Sequence, residues 1–167
     1  MYYYDIMKKF FQEGVKYLIV GGLAVNLYGI PRVTQDIDII ISMDKDNILK
    51  INRVLKELGY IPKLPVNPDD LANKNILNHW IKNKNLKAFS YYHKVENFKT
   101  IDIIVKHPLD FENAFQNKTI KNVGDIEIYL VSLDDLIIMK QNIKRQQDIS
   151  DIKLLRKVKK WMEKDHG

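Results

Sequence analysis

Three short stretches of this 167-residue chain carry residues whose types and spacing are chemically unusual. The first is Asp36-Ile37-Asp38-Ile39-Ile40-Ile41, a β-branched run that reads as a central strand. Residues two apart on a strand point to one face, so Asp36 and Asp38 present adjacent carboxylates while Ile37, Ile39 and Ile41 fill the opposite face. Like charges this close repel and desolvation adds to the cost, so the pair calls for divalent cations or basic side chains. The plainer alternative leaves Asp36 in water at the strand edge and has Asp38 cap a turn. The second stretch is Gly21-Gly22, which ends the apolar run Tyr17-Leu18-Ile19-Val20 and opens a short helical segment closed by Gly29 and Pro31. Free backbone N–H groups at such a junction suit a phosphate, and glycine lets it come close to the main chain. A tight turn without a ligand is the alternative there. The third is Thr100-Ile101-Asp102-Ile103-Ile104-Val105, another aspartate inside an apolar strand.

These residues need a scaffold, and the apolar periodicity supplies one. Ile6, Phe10 and Phe11 mark a helix over 5–14 ahead of the strand at 17–20. Ile48, Ile51, Val54, Leu55 and Leu58 keep a helical period up to Gly59, with Ser42 or Asp44 as the cap. Pro62, Pro65 and Pro68 break regular structure, and Asp69 or Asp70 is expected to cap a short helix containing Leu71, Ile76, Leu77 and Trp80. Leu86–Tyr92 pairs with Thr100–Lys106 across a polar turn at Glu96-Asn97, and Thr119–Val123 pairs with Glu127–Val131 around Gly124-Asp125. A helix begins at Ser132, and another spans about Ile149–Met162. No repeat, low-complexity tract or linker interrupts the chain. The expectation is one α/β (α+β) domain over 1–167, its core at about 15–131 and its C-terminal helices at about 132–163.

Composition narrows the chemistry. With no cysteine there is no disulfide, thiolate metal site or cysteine nucleophile, and a reducing cytoplasm is the expected location. The N-terminus lacks signal-peptide order, and no apolar stretch approaches the ~20 residues of a membrane span. His79, His93, His107 and His166 show no metal-ligand spacing. Tyr2-Tyr3-Tyr4 and Tyr91-Tyr92 read as core or edge-strand aromatics rather than base-stacking platforms. The net charge of +6 is uneven, with 7 basic against 2 acidic residues in 74–106 and 9 against 4 in 136–167. These blocks are either solvated faces or a field around an anionic ligand.

The ordered set of Gly21-Gly22, then Asp36-Ile37-Asp38, then Asp102 resembles the DNA polymerase β-like nucleotidyltransferase superfamily. Arg32-Val33-Thr34-Gln35-Asp36-Ile37-Asp38 is similar to the Arg-x-Thr-x-Asp-Ile-Asp run of small bacterial nucleotidyltransferases related to the abortive-infection toxin AbiEii. Trp80–Lys82, Lys87–Ser90, Ser132–Lys140 and Arg145-x-x-Asp148-x-x-Asp151-Ile152 follow the same group, so the likeness covers about residues 15–156. The turn departs from the pattern in having Gly22 where many members have serine, and Lys144-Arg145-Gln146 stands where relatives commonly have Gly-Arg-Pro.

The resemblance implies the nucleotidyltransferase fold: a mixed, mostly antiparallel sheet flanked by helices. It implies transfer of a nucleoside monophosphate from an NTP to an acceptor hydroxyl or phosphate, with two Mg²⁺ or Mn²⁺ ions held by Asp36, Asp38 and Asp102. Gly21 and Gly22 would cradle the phosphates, with Arg32, Thr34 and Lys140 as further nucleotide contacts. Lys140 stands against the alternative of an ordinary surface lysine, and Arg32 and Thr34 against bracing roles. Asp148 and Asp151 share a helix face and read as acids favoured at a helix N-terminus. The acceptor is left open among tRNA, a protein and a small molecule, and an antitoxin joins the expected partners through the toxin–antitoxin relatives. The rival reading is a non-catalytic nucleotide- or RNA-binding module of the same fold, using a basic stripe of Lys153, Lys157, Lys160 and Lys164 beside an apolar helix face of Ile149, Ile152, Leu155 and Met162.

Overall fold

The computed structural model describes residues 3–143 and 145–166, the last by its backbone. Tyr2, Lys144 and the His166 side chain, named above, lie outside the described residues. The frame is a seven-stranded mixed sheet in the order β3-β4-β5-β2-β1-β7-β6. The strands are β1 (Tyr17–Val20), β2 (Asp36–Ile41), β3 (Tyr60–Pro62), β4 (Ala88–His93), β5 (Thr100–Ile104), β6 (Thr119–Val123) and β7 (Ile126–Leu130). β1 and β2 pair antiparallel, as do β3 with β4, β4 with β5 and β6 with β7, whereas β2–β5 and β1–β7 are parallel. The mostly antiparallel sheet and both expected hairpins are therefore present.

Strand alternation divides the central sheet into two faces. Ile19, Ile37, Ile39, Ile101, Ile103, Phe89 and Tyr91 point one way and are buried. Against this apolar face lie α1 (Tyr3–Glu13), α3 (Lys45–Glu57) and α4 (Lys74–Asn83). Phe10 of α1 sits 5.3 Å from Tyr17, and Trp80 of α4 stacks on Phe89 at 5.9 Å between ring centroids. Tyr91 donates to Asn52 of α3 at 2.5 Å, and Asn52 donates to Asp69 at 2.8 Å, so the buried polar groups there are satisfied. The other face carries Asp36, Asp38, Thr100, Asp102 and Ser90. α2 (Gly21–Leu27) leads directly out of β1, and α6 (Leu133–Gln141) and α7 (Gln146–His166) close the chain.

Several boundaries differ from expectation for local reasons. β3 ends on Pro62 at the sheet edge, the position where a strand tolerates a residue without an N–H. The 3-10 turn Pro68–Ala72 and α4 are capped by the side chains of Asn67 and Asn73, not by Asp69 or Asp70. Asp44 occupies the N-cap of α3 without a side-chain capping bond, while Ser132 caps α6 by accepting from the Asp135 N–H at 3.1 Å. α5 (Phe111–Gln116) was not anticipated; Asp110 caps it by accepting from the Asn113 N–H. Among the described residues no helix is long and apolar enough to cross a membrane.

Candidate active site

The register of four neighbouring strands assembles the acidic cluster and its surroundings. Asp38 lies opposite Asp102 across the β2–β5 pair, Ser90 of β4 is beside Asp102, and Val20 of β1 is opposite Asp38. The next row sets Asp36 beside Thr100, whose buried hydroxyl donates to Asp36 Oδ1. Burial pushes the Asp38 carboxyl up to about 7, helped by the charges of Asp102 and Asp36 and a hydrogen bond with Asp102, while Lys140 pulls it down. Asp102 Oδ1 is buried without a hydrogen-bond partner. A buried, unpartnered carboxylate oxygen beside a second, half-buried carboxylate is destabilising unless a cation or proton joins it.

The glycine turn is fitted to this cluster. Gly21 has φ of +66°, and a Cβ there would fall 2.2 Å from Asp38 Oδ2. Only glycine allows the main chain to lie against that carboxylate. At Gly22 a Cβ would sit 2.9 Å from Thr34 Oγ1 and 3.5 Å from Arg32 Cζ. The space above the second glycine is thus already taken by the Thr34 hydroxyl, which gives a physical reason for the missing side chain. Thr34 in turn donates weakly to the Asp36 carbonyl at 3.4 Å.

Lys140 is not a surface lysine. It is 5% exposed, with Nζ 3.2 Å from Asp148 Oδ1 and 3.0 Å from Asp151 Oδ2. Both aspartates are 1% exposed: Asp148 does stand in the first turn of α7, as expected, but the two side chains are buried in ion pairs rather than turned to solvent. Arg32 also pairs with Asp151, Gln147 donates to Asp151 at 3.1 Å, and Arg145 Nε donates to Asp148 at 2.9 Å. Burial raises the Asp148 carboxyl, but hydrogen bonds and charges from Arg145 and Lys140 outweigh it and hold the group below its ordinary range. The inward face of α7 is accordingly Asp148, Asp151 and Leu155, while Ile149 and Met162, expected on that face, are exposed. This network ties α6 and α7 to Arg32, six residues before Asp38.

The arrangement brings together Gly21, Gly22, Arg32, Thr34, Asp36, Asp38, Asp102 and Lys140. Sequence reasoning missed Thr100, although it lies two residues before Asp102 on the same strand face. Among the described residues no group of three or more His, Asp or Glu side chains forms a ready-made metal cage. Asp38 and Asp102 are the close pair, and Asp36 is engaged by Thr100. Such a set fits Mg²⁺, which takes one or two carboxylates and completes its octahedron with water and substrate phosphate.

Comparison with known proteins bears on the family and the fold. The family model described as a nucleotidyltransferase of unknown function (DUF6036) matches residues 6–161. No curated protein matches the chain in sequence. Among solved structures, the lincomycin-bound lincosamide antibiotic adenylyltransferase LnuA is 20% identical, with a TM-score of 0.59 over 93% of this chain and 95% of its own. ANT(2″)-Ia, in complex with adenylyl-2″-tobramycin, is 11% identical, with a TM-score of 0.55 over 95% and 91% of the two chains. A nucleotidyltransferase-like protein of Thermotoga maritima is 15% identical, with a TM-score of 0.52 over 98% and 94%. At these identities the likeness is one of fold.

Proposed function

The chain belongs to the DUF6036 family of nucleotidyltransferases, and from that premise we propose that it moves a nucleoside monophosphate from an NTP to an acceptor hydroxyl or phosphate, as one domain working in the cytoplasm. The observation that carries the reading is the pairing of Asp38 with Asp102, whose Oδ1 is buried without a partner, beside Asp36 and a glycine turn that touches Asp38. Asp36, Asp38 and Asp102 would hold divalent cations, which when bound offset charge on the attacking and leaving oxygens. The Gly21 and Gly22 main chain receives the phosphates, and the Thr34 hydroxyl stands over the turn where Gly22 offers no side chain. Arg32 and Lys140, held by Asp151 and Asp148, keep positive charge at the phosphate side and favour departure of pyrophosphate. Asp102, opposite Asp38 on β5, would take the acceptor proton as the new phosphate ester forms and pyrophosphate leaves.

The test is label transfer from α-labelled NTPs in Mg²⁺ or Mn²⁺, with total RNA, a protein extract, lincomycin and tobramycin as separate acceptors. Transfer to one acceptor class is expected, and Asp36→Ala or Asp38→Ala should reduce it by at least a thousandfold, a loss of about 4 kcal/mol of transition-state stabilisation. Transfer that survives both substitutions would refute the assignment. RNA binding that persists in the same variants, with no transfer by the native chain, would instead favour the binding-module reading.

A further inference from the structure

A cavity of about 420 Å³ opens directly beside the acidic cluster, and the chemistry described so far makes no use of it. It lies between α1, α2 and the segment that enters β2. Two of its lining residues, Thr34 and Asp36, belong to the proposed site. Thr34 is the residue whose hydroxyl stands over Gly22, so one side chain borders both the turn and the cavity. Larger hollows of about 490 and 720 Å³ lie between α3 and β3 and beyond the end of β2, and neither is lined by Asp36, Asp38 or Asp102.

The lining is specific in character. Leu23, Asn26 and Leu27 follow i, i+3, i+4 spacing and so present one face of α2. With Ile37 and the ring of Tyr3 they make apolar walls; the polar groups are the amides of Asn26 and Gln35, together with the Thr34 hydroxyl and the Asp36 carboxylate that the site already engages. No lysine or arginine lines the space, so it suits an uncharged ring better than another phosphate. Its volume falls in the ~300–1,000 Å³ range of small-molecule sites, which are mostly apolar with a few converging polar groups.

Resting on the nucleotidyl-transfer reading, we propose that this cavity receives the nucleobase of the NTP, with Asn26 and Gln35 reading its edge. A side-chain amide matches the donor–acceptor edge of adenine, N6 and N7, whereas the two acceptors of guanine, O6 and N7, call for an arginine or lysine that the lining lacks. The pocket therefore favours ATP over GTP.

Calorimetric titration of the full chain in Mg²⁺ with a non-hydrolysable ATP analogue, its GTP counterpart and inorganic tripolyphosphate tests this. The ATP analogue should bind at least tenfold more tightly than the GTP analogue. Asn26→Leu should weaken the ATP analogue at least tenfold and shrink that preference, while tripolyphosphate affinity stays within twofold. Tyr3→Ala should behave alike through lost stacking. Photolysis of bound 8-azido-ATP, which needs no variant, should label the peptides holding Tyr3 or Leu23–Ile37. Native-like ATP and GTP binding by both variants, equal affinity of the native chain for the two analogues, or labelling confined to other peptides would overturn the pocket. If the native chain bound neither analogue nor tripolyphosphate, the nucleotidyl-transfer reading would fall, and the pocket with it.

Discussion

Replacing Asp38 with asparagine tests the electrostatics of the candidate site apart from catalysis. Burial and the neighbouring Asp102 and Asp36 raise the Asp38 carboxyl from its ordinary 3.8 to about 7. The folded chain thus holds a proton that the unfolded chain releases near pH 4. The sign follows by linkage: without metal, Asp38 leaves stability unchanged below pH 4, erodes it as pH rises from 4 to 7, and exerts its full penalty above 7. A difference of about three pH units, at about 1.4 kcal/mol each, corresponds to a penalty of about 4 kcal/mol. Asparagine has nearly the shape of the protonated side chain and never ionises. Urea unfolding in chelator at pH 5 and pH 8 should therefore show the native chain losing stability relative to Asp38→Asn as pH rises, so that the variant is the more stable at pH 8. Added Mg²⁺ should restore the native chain at pH 8 and leave the variant unchanged, because the cation replaces the proton between the carboxylates. An identical pH slope in both proteins, or a variant less stable than native in chelator at pH 8, would refute the reasoning.

The other expectations concern the supports of the site. Gly21→Ala places a Cβ 2.2 Å from Asp38 Oδ2 on a backbone with φ of +66°, so either the turn or the aspartate must move. About 1–3 kcal/mol of stability should be lost by thermal unfolding, together with most label transfer. Lys140→Met leaves Asp148 and Asp151 buried with fewer cations and should cost about 3–5 kcal/mol, a fall of roughly 6–20 °C in melting temperature. A loss below about 1 kcal/mol would mean that Arg32 and Arg145 neutralise both aspartates without it.

How much of this was legible in the chain depends on how far apart the partners lie. The Asp36–Asp38 strand, the glycine turn and the Asp102 strand are each encoded by contiguous residues, and strand alternation alone sends the aspartates to the face opposite the isoleucines. The hairpins follow for the same reason. β3 was hidden because its three residues lean on β4 for their ladder and end in a proline that normally signals a break. α5 was hidden by its brevity, although the Asp110 cap and the spacing of Phe111, Ala114 and Phe115 were a usable signal.

The ion network is the instructive failure. Local rules send acids near a helix start to solvent, and they placed Ile149 and Met162 inward on α7. What turns Asp148 and Asp151 inward is cationic: Lys140 from α6 and Arg32 from the segment before β2, 119 residues away from Asp151 in sequence. No window along one element can register that pairing, because the desolvation cost of each charge is offset only once the sheet has brought its partner into place. The same dependence makes the network informative about the site. Arg32 lies 3.5 Å from the Cβ position of Gly22, and the charge of Lys140 reaches Asp38, so the two cations that bury the acids of α7 also adjust the turn and the carboxylates. A substitution on α7 is therefore felt at the glycine turn through Arg32 and Lys140, although no residue of α7 belongs to β2 or β5.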